Sequence, residues 1–324
     1  MNTEKKSESM TPLLPLPRLS EKLGVELWVK RDDLFPLTGG GNKARKILYI
    51  AREVQQQEAD SVVTTGGLQS NHARAVALMA AKCGWKCKLI LHGNEGQLSH
   101  PQSNLLLMTL SGADITVVSP DEIGPKMKEA MQEFVRQGYR PFEILGGGHM
   151  LAGSMAYADA VKELEYQCRL YRWKPDCIVL ASGTGTTQAG LLGGLDVVEW
   201  DTHVIGISSA RKNPRGRLIV EQAYDELRQH LGASGQARAV DFRDEWVGDG
   251  YERPTEGTIE AIRLAAKLEG LILDPTYTGK AFSALIDMIH SGEIDKGSRI
   301  VFWHTGGLLN LTASNVFSKG VLKS

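Results

Sequence analysis

Lys43 stands directly after Gly39-Gly40-Gly41-Asn42, where a strand-like stretch gives way to a helical pattern. An ammonium group in the first turn of a helix faces the positive end of the peptide dipoles, which favours the neutral amine. A neutral lysine amine attacks aldehydes and forms a Schiff base. Lys43 is therefore a candidate anchor for pyridoxal 5'-phosphate. Lys280, in Asp274-Pro275-Thr276-Tyr277-Thr278-Gly279-Lys280, has the same dipole logic but no glycine run before it, and is the rival anchor.

A phosphate needs backbone N–H groups and hydroxyls that converge. Ser182-Gly183-Thr184-Gly185-Thr186-Thr187-Gln188 offers both, between an apolar strand and a helix. No Gly-Lys-Ser/Thr follows, so it is not a P-loop, and the GxGxxG spacing of dinucleotide sites is missing. A plain helix cap is its ordinary alternative. In Gly66-Gly67-Leu68-Gln69-Ser70-Asn71-His72, Ser70 reads either as a helix cap or as a substrate-facing hydroxyl. Asn71 could reach a cofactor ring oxygen. His72 reads as a structural histidine, with a role at the substrate as the alternative.

The elements that must position these groups alternate. Strand patterns at Glu26–Lys30, Ser61–Thr65, Lys88–Leu91, Ile115–Val118, Phe142–Leu145, Cys177–Leu180, Val204–Ile207 and Arg299–Phe302 are interleaved with helical ones. The helical patterns are Lys43–Glu53, Asn71–Lys82, Lys126–Gln137, Leu151–Tyr171, Gln188–Leu195, Thr255–Leu268 and Gly279–His290. This order predicts an α/β protein with open, twisted, mainly parallel sheets covered by helices on both faces. Glycine turns at 39–41, 66–67, 146–148, 183–185 and 306–307 all follow strands, so they can meet in one cleft beyond the strand ends. Chain crossings near residues 46 and 155 predict two domains, 1–46 with 156–324 and 47–155.

The 324 residues are 42% hydrophobic and 23% charged, with a formal net charge of -1, so nothing electrostatic draws the chain to nucleic acid or an anionic membrane. Met1–Met10 is polar and lacks the apolar region of a secretory signal, and no apolar run is long enough to span a bilayer. Cys83, Cys87, Cys168 and Cys177 form no CxxC pair and read as reduced, buried thiols rather than metal ligands, which fits a cytoplasmic protein. Arg211, Lys212 and Arg215 follow the strand at Val204–Ile207 and read as a solvated surface; an anion site is the alternative.

In order, Lys30-Arg31-Asp32-Asp33, Gly40 to Lys46, Gln69-Ser70-Asn71-His72, the loop Gly183–Gly190, Asp274 to Lys280 and His304-Thr305-Gly306-Gly307 resemble the 1-aminocyclopropane-1-carboxylate deaminase/D-cysteine desulfhydrase family. The resemblance covers about residues 11 to 310 and implies pyridoxal 5'-phosphate bound in a tryptophan-synthase β-like fold. It implies Lys43 as the cofactor's lysine. Gly183, Thr184, Gly185, Thr186 and Thr187 would hold the phosphate with Lys46 near, and Asn71 the ring hydroxyl. Ser70, Asn71, His72, Tyr251, Tyr277 and Thr278 would meet the substrate, a small amino acid. Ser70 and Tyr277 would join Lys43 in catalysis, and a homodimer is the usual assembly. The deaminase branch resembles Tyr-Glu-Gly and His-Leu-Gly-Gly where this chain has Thr278 and Thr305. A hydroxyl beside the pyridine nitrogen makes a weaker electron sink than a carboxylate does. That is enough to expel a good β-leaving group and points to α,β-elimination, with D-cysteine as substrate. The sequence leaves three alternatives: an L-cysteate sulfo-lyase, a 1-aminocyclopropane-1-carboxylate deaminase, and a non-catalytic sensor of the cofactor or an amino acid.

Overall fold

A computed structural model describes residues 10–317; residues 1–9 and 318–324 of the expected large domain, with most of Met1–Met10, lie outside them. Ten strands make two sheets. The six-stranded sheet contains β1 (Leu13–Pro15), β2 (Glu26–Lys30), β7 (Cys177–Ser182), β8 (His203–Ser208), β9 (Asp241–Arg243) and β10 (Arg299–Trp303), in the order β1-β2-β10-β7-β8-β9. All its pairings are parallel except β1 with β2. The four-stranded sheet is parallel throughout, in the order β5-β4-β3-β6, from β3 (Ser61–Gly67), β4 (Lys86–His92), β5 (Asp114–Val118) and β6 (Pro141–Ile144).

The helices are α1 (Pro17–Leu23), α2 (Gly41–Gln56), α3 (Asn71–Cys83), α4 (Ser103–Leu110), α5 (Ile123–Arg136) and α6 (Leu151–Tyr171). They continue with α7 (Thr186–Val197), α8 (Arg215–Leu231), α9 (Glu256–Glu269), α10 (Thr278–His290) and α11 (Leu308–Ala313). Each sheet is a middle layer. On the large sheet, Leu19, Ala265 and Phe282 from α1, α9 and α10 bury one face, while Tyr157, Leu191 and Tyr224 from α6, α7 and α8 bury the other. On the small sheet, neighbouring valines of β3 point to opposite faces, as the pleat requires. Val62 meets α2 and α3, and Val63 meets α5. The packing of α6 on α7 is close enough that a Cβ at Gly190 would lie 2.4 Å from the Ser154 carbonyl oxygen.

Two helices cross between the sheets near the expected domain boundaries. Ile47, Ile50 and Val54 of α2 pack into the small-sheet core, whereas Arg45 turns towards the large sheet. Arg45 is held there by a buried polar knot. Its guanidinium donates to both oxygens of Asp32, at 2.7 and 3.1 Å, and to Glu163 of α6 at 2.8 Å. Asp32 also accepts from Tyr157, Trp303 and Thr11, and Lys30 pairs with Glu163. Burial alone would raise the Asp32 carboxyl; the Arg45 charge overrides it and holds the group at about 2. Breaking such a pair strands a buried charge, at a cost of about 3–5 kcal/mol.

Replacing Asp32 with asparagine is expected to lower the unfolding free energy by about that amount, read by urea denaturation. Because the native carboxyl titrates below its unfolded value, its stabilisation is complete above the ordinary carboxylate range and fades as pH falls towards about 2. The asparagine variant should therefore lose less stability than the parent over that acid range, and equal acid sensitivity would contradict the assignment.

Candidate active site

The knot fixes the rotation of α2. With Arg45 turned into it, Lys43 and Lys46, three residues apart, share the face that meets two glycine loops. Arg74, itself buried, donates to the carbonyls of Thr38 and Gly40 at 3.0 Å each and holds the turn that leads into the helix. Lys43 Nζ donates to the Gly147 carbonyl at 2.8 Å, and Lys46 Nζ to Thr186 Oγ1 at 2.7 Å. The two loops lie against each other: a Cβ on Gly147 would fall 2.4 Å from Thr184 Cγ2. Neither amine has a carboxylate partner among the described residues. Burial, with the charge of Arg211 adding to it, lowers Lys43 to about 8. Burial and the neighbouring Lys43 push Lys46 well below the ordinary lysine range.

The start of α7 completes this pocket. Gly185 caps it without a side-chain hydrogen bond, and the N–H groups of Thr186, Thr187 and Gln188 find no acceptor among the described residues. All three residues are buried. A buried helix start without acceptors calls for a ligand. Helix dipole, free amides, hydroxyls of Thr184, Thr186 and Thr187, and two amines together suit a phosphate. Asn42 Nδ2 donates to Thr187 Oγ1 at 3.1 Å, and His149 Nδ1 lies 2.8 Å from the Thr184 carbonyl. Arg211 donates to the Gly183 carbonyl. The residues present therefore fit pyridoxal 5'-phosphate, with an amine beside the phosphate cradle ready to join an aldehyde.

Arg211 corrects a sequence expectation. The basic group was expected at a solvated surface, which holds for exposed Lys212 and Arg215. Arg211 instead folds back onto the glycine loop, because the chain turns there between β8 and α8. His149 was missed as part of the pocket, whereas Gly147 lies in the turn 146–148 that was expected at the cleft. The place of His149 directly after the glycine run 146–148 was the signal for it.

Across the cleft, Ser70 caps α3, accepting from the Ala73 N–H at 3.2 Å. Asn71 donates to Asn310 Oδ1 at 2.6 Å and accepts from Asn104 at 3.0 Å. Its oxygen is thus taken, and the amide presents its remaining N–H. Asn310 comes from α11 and also donates to the Gln69 carbonyl at 3.0 Å. His72 is buried, with Nε2 2.9 Å from Thr64 Oγ1, and its charged form is disfavoured by burial and by Lys43 and Lys46. Thr64 spends its own hydrogen on the Ile144 carbonyl, so His72 is a satisfied neutral donor, the ordinary reading.

Asp274 organises the facing wall. It accepts from the N–H groups of Thr276, Tyr277 and Thr278 at 2.9, 2.9 and 2.8 Å and from Thr278 Oγ1 at 2.7 Å. The Thr278 hydroxyl also accepts from the Asp274 N–H at 2.9 Å. Thr278 is therefore closed within this cap, and its expected contact with substrate is not carried forward. Thr305 differs. Its carbonyl accepts from the Asn42 N–H at 2.9 Å, one residue from Lys43, and its hydroxyl has no partner among the described residues. Tyr277 and Tyr251 share a hydroxyl–hydroxyl contact with rings 5.8 Å apart, and burial raises the Tyr277 phenol well above its usual range. Tyr251, Gln69, Thr276 and Asn310 line a cavity of about 570 Å³ between the two lobes. Lys280, the rival anchor, is bound to three backbone carbonyls and is not a free amine.

Among the described residues there is no helix long and apolar enough to cross a membrane. The family model described as "Pyridoxal-phosphate dependent enzyme" matches residues 5–306. A Thermotoga maritima protein provisionally named a 1-aminocyclopropane-1-carboxylate deaminase is 37% identical over 314 residues, covering 94% of this chain and 96% of its own. A Yersinia pestis D-cysteine desulfhydrase is 36% identical over 302 residues, with coverage of 92% and 91%. The crystal structure of an ACC deaminase homologue superposes with a TM-score of 0.85 at 32% identity, covering 96% of each chain.

Replacing Lys46 with methionine is expected to weaken cofactor binding about ten- to a hundredfold, the value of one or two charged hydrogen bonds; unchanged affinity in a fluorescence titration would contradict its place beside the phosphate. The neutral amine is the reactive form of Lys43. Covalent uptake of the cofactor by cofactor-free protein should therefore quicken as pH rises and level off above about 8. A rate that keeps climbing to pH 10 in stopped-flow absorbance would contradict the lowered value.

Proposed function

The chain belongs to the pyridoxal-phosphate-dependent enzymes and is a lyase of that class, and on this premise we propose that it carries out α,β-elimination on a small β-substituted amino acid. The substrate proposed is D-cysteine, which with one water gives pyruvate, ammonia and hydrogen sulfide. The bound cofactor would supply an electron sink for the α-carbon.

Everything else falls to side chains of this chain. Lys46, the start of α7 and Arg211 hold the phosphate, and Asn71 directs its free N–H to the ring oxygen. Lys43, whose amine is about half neutral near pH 8, moves the α-proton. Ser70 and the Gln69 region face the substrate carboxylate. Tyr277 stays a phenol, because burial opposes its ionisation, so it serves as a proton donor near the leaving sulfur rather than as a base.

The observation that carries the choice of elimination is the unengaged hydroxyl of Thr305, beside the turn that bears Lys43, with Thr278 locked on Asp274. Neither position offers a carboxylate to the ring nitrogen, so the sink is weak and suits a good leaving group. The sulfo-lyase reading needed an anion site for the substrate. Arg211 is taken up at the phosphate loop instead, and it does not line the 570 Å³ cavity. Ring opening of 1-aminocyclopropane-1-carboxylate is the second reading, favoured by the names of the Thermotoga relative and of the solved homologue. A homodimer in the cytoplasm belongs to the same proposal.

The deciding experiment is 2-oxo acid and ammonia release over D- and L-cysteine, D- and L-serine, L-cysteate, β-chloroalanine and the cyclopropane acid. Pyruvate is the product of the three-carbon substrates and 2-oxobutanoate that of the cyclopropane acid, with sulfide read in addition for cysteine. D-Cysteine should be turned over at least about tenfold more efficiently than the cyclopropane acid, a difference of roughly 1.4 kcal/mol in barrier. Comparable cleavage of the ring would overturn the reading of Thr305, and a cofactor-loaded protein inert to the whole panel would favour a sensor.

A further inference from the structure

Lys280 is fully buried, yet no carboxylate touches its amine among the described residues. Nζ donates to the carbonyls of Gly250 at 2.7 Å, Val247 at 2.8 Å and Ser209 at 3.4 Å. These oxygens come from two stretches far apart in sequence: the residue after β8, and the segment that runs from the single helical turn Glu245–Val247 into the loop carrying Tyr251. Each carbonyl presents its negative end inward. Without a cation between them, three desolvated oxygens would repel one another. Gly250 immediately precedes Tyr251, whose hydroxyl meets Tyr277 at the first turn of α10, the helix that also bears Lys280. One helix start therefore holds both tyrosines, Tyr277 through Asp274 and Tyr251 through Lys280.

Little else restrains that loop. Tyr251 is 41% exposed, and Glu252 has a φ of 59°, an unfavourable value for a residue with a side chain. The only loop-internal backbone bond is Arg253 N–H to the Gly250 carbonyl at 3.3 Å. Burial lowers Lys280 to about 8, with Asp274 opposing the fall, so the amine keeps its charge at neutral pH. We propose that Lys280 is a positioning residue that acts as a tethered monovalent cation, gathering the carbonyls of Ser209, Val247 and Gly250 and so setting Tyr251 against Tyr277 at the substrate cavity. The consequence for catalysis rests on the proposed elimination, in which this tyrosine pair meets substrate; the cation cradle itself does not.

The test uses the full-length cofactor-loaded protein as Lys280→Ala and Lys280→Met, in ammonium, methylammonium, potassium or choline chloride at constant ionic strength. In choline, the alanine variant should keep the cofactor's visible absorption while KM rises about tenfold or more and kcat falls less. Ammonium or methylammonium should restore KM in the alanine variant and raise its melting temperature by several degrees, leaving the parent unmoved. The methionine variant, whose side chain fills the cradle, should stay impaired in every salt. The melting response is readable even if no amino acid of the panel is a substrate, so failure of the elimination reading and failure of the cradle are distinct results. An alanine variant with parental KM and melting temperature, or one impaired equally in all four salts, overturns the proposal. An alanine variant that folds only with a small cation supports it, and one that folds in none overturns it.

Discussion

Two lysine amines on one face of α2, Lys46 buried and Lys43 half-buried, meet the Thr186 hydroxyl and the Gly147 carbonyl with no carboxylate partner among the described residues. Taken alone this arrangement disfavours the charged amines: burial penalises both, Arg211 adds to it at Lys43, and Lys43 adds to it at Lys46. It persists because the opposite face of the same helix is tied to Asp32 and Glu163 through Arg45. The paired guanidinium and the two amines without carboxylates lie within one turn of the same helix. The fold thus stores, at one spot, an unmet demand for negative charge, and the acceptor-free start of α7 lies against it. A dianionic phosphate answers the demand. An aldehyde on the same molecule finds in Lys43 an amine that the demand has already made nucleophilic.

Much of this was legible in the sequence because it depends on local rules. Strand alternation, helical periodicity and glycines after strands place β2, β3, β7 and β10, and the helices after the first three, within a few residues of where they lie. Helix α6 matches its expected span from Leu151 to Tyr171. The place of Lys43 in the first turn of a helix was legible because a glycine run ends where the helical pattern begins. The short edge elements were not: three residues in β1 and β9 give no period, and they are fixed by pairing with β2 and β8. Helix α8 was missed although Val220, Ala223, Tyr224 and Leu227 repeat at helical spacing.

Side-chain roles were less legible, since they turn on partners far away in sequence. Thr278 and Thr305 look alike in a string of letters, yet Asp274 occupies one hydroxyl and leaves the other free. Arg211 and Arg215 differ only in that a chain reversal folds the first onto Gly183. Asn310 reaches Asn71 across the cleft, a contact spanning 239 positions that no local rule anticipates. At Lys280 the dipole argument applies as it does at Lys43, and the amine is lowered to about 8 in both. What separates them is the environment: three carbonyls hold one amine, and a single carbonyl leaves the other nearly free.

The central claim is that one amine, Lys43, is the group the pocket is built to use. Borohydride reduction of the purified, cofactor-loaded protein followed by peptide mass mapping tests it most directly. The account predicts a single phosphopyridoxyl adduct on Lys43. An adduct on Lys46 or Lys280, or none at all, would contradict it.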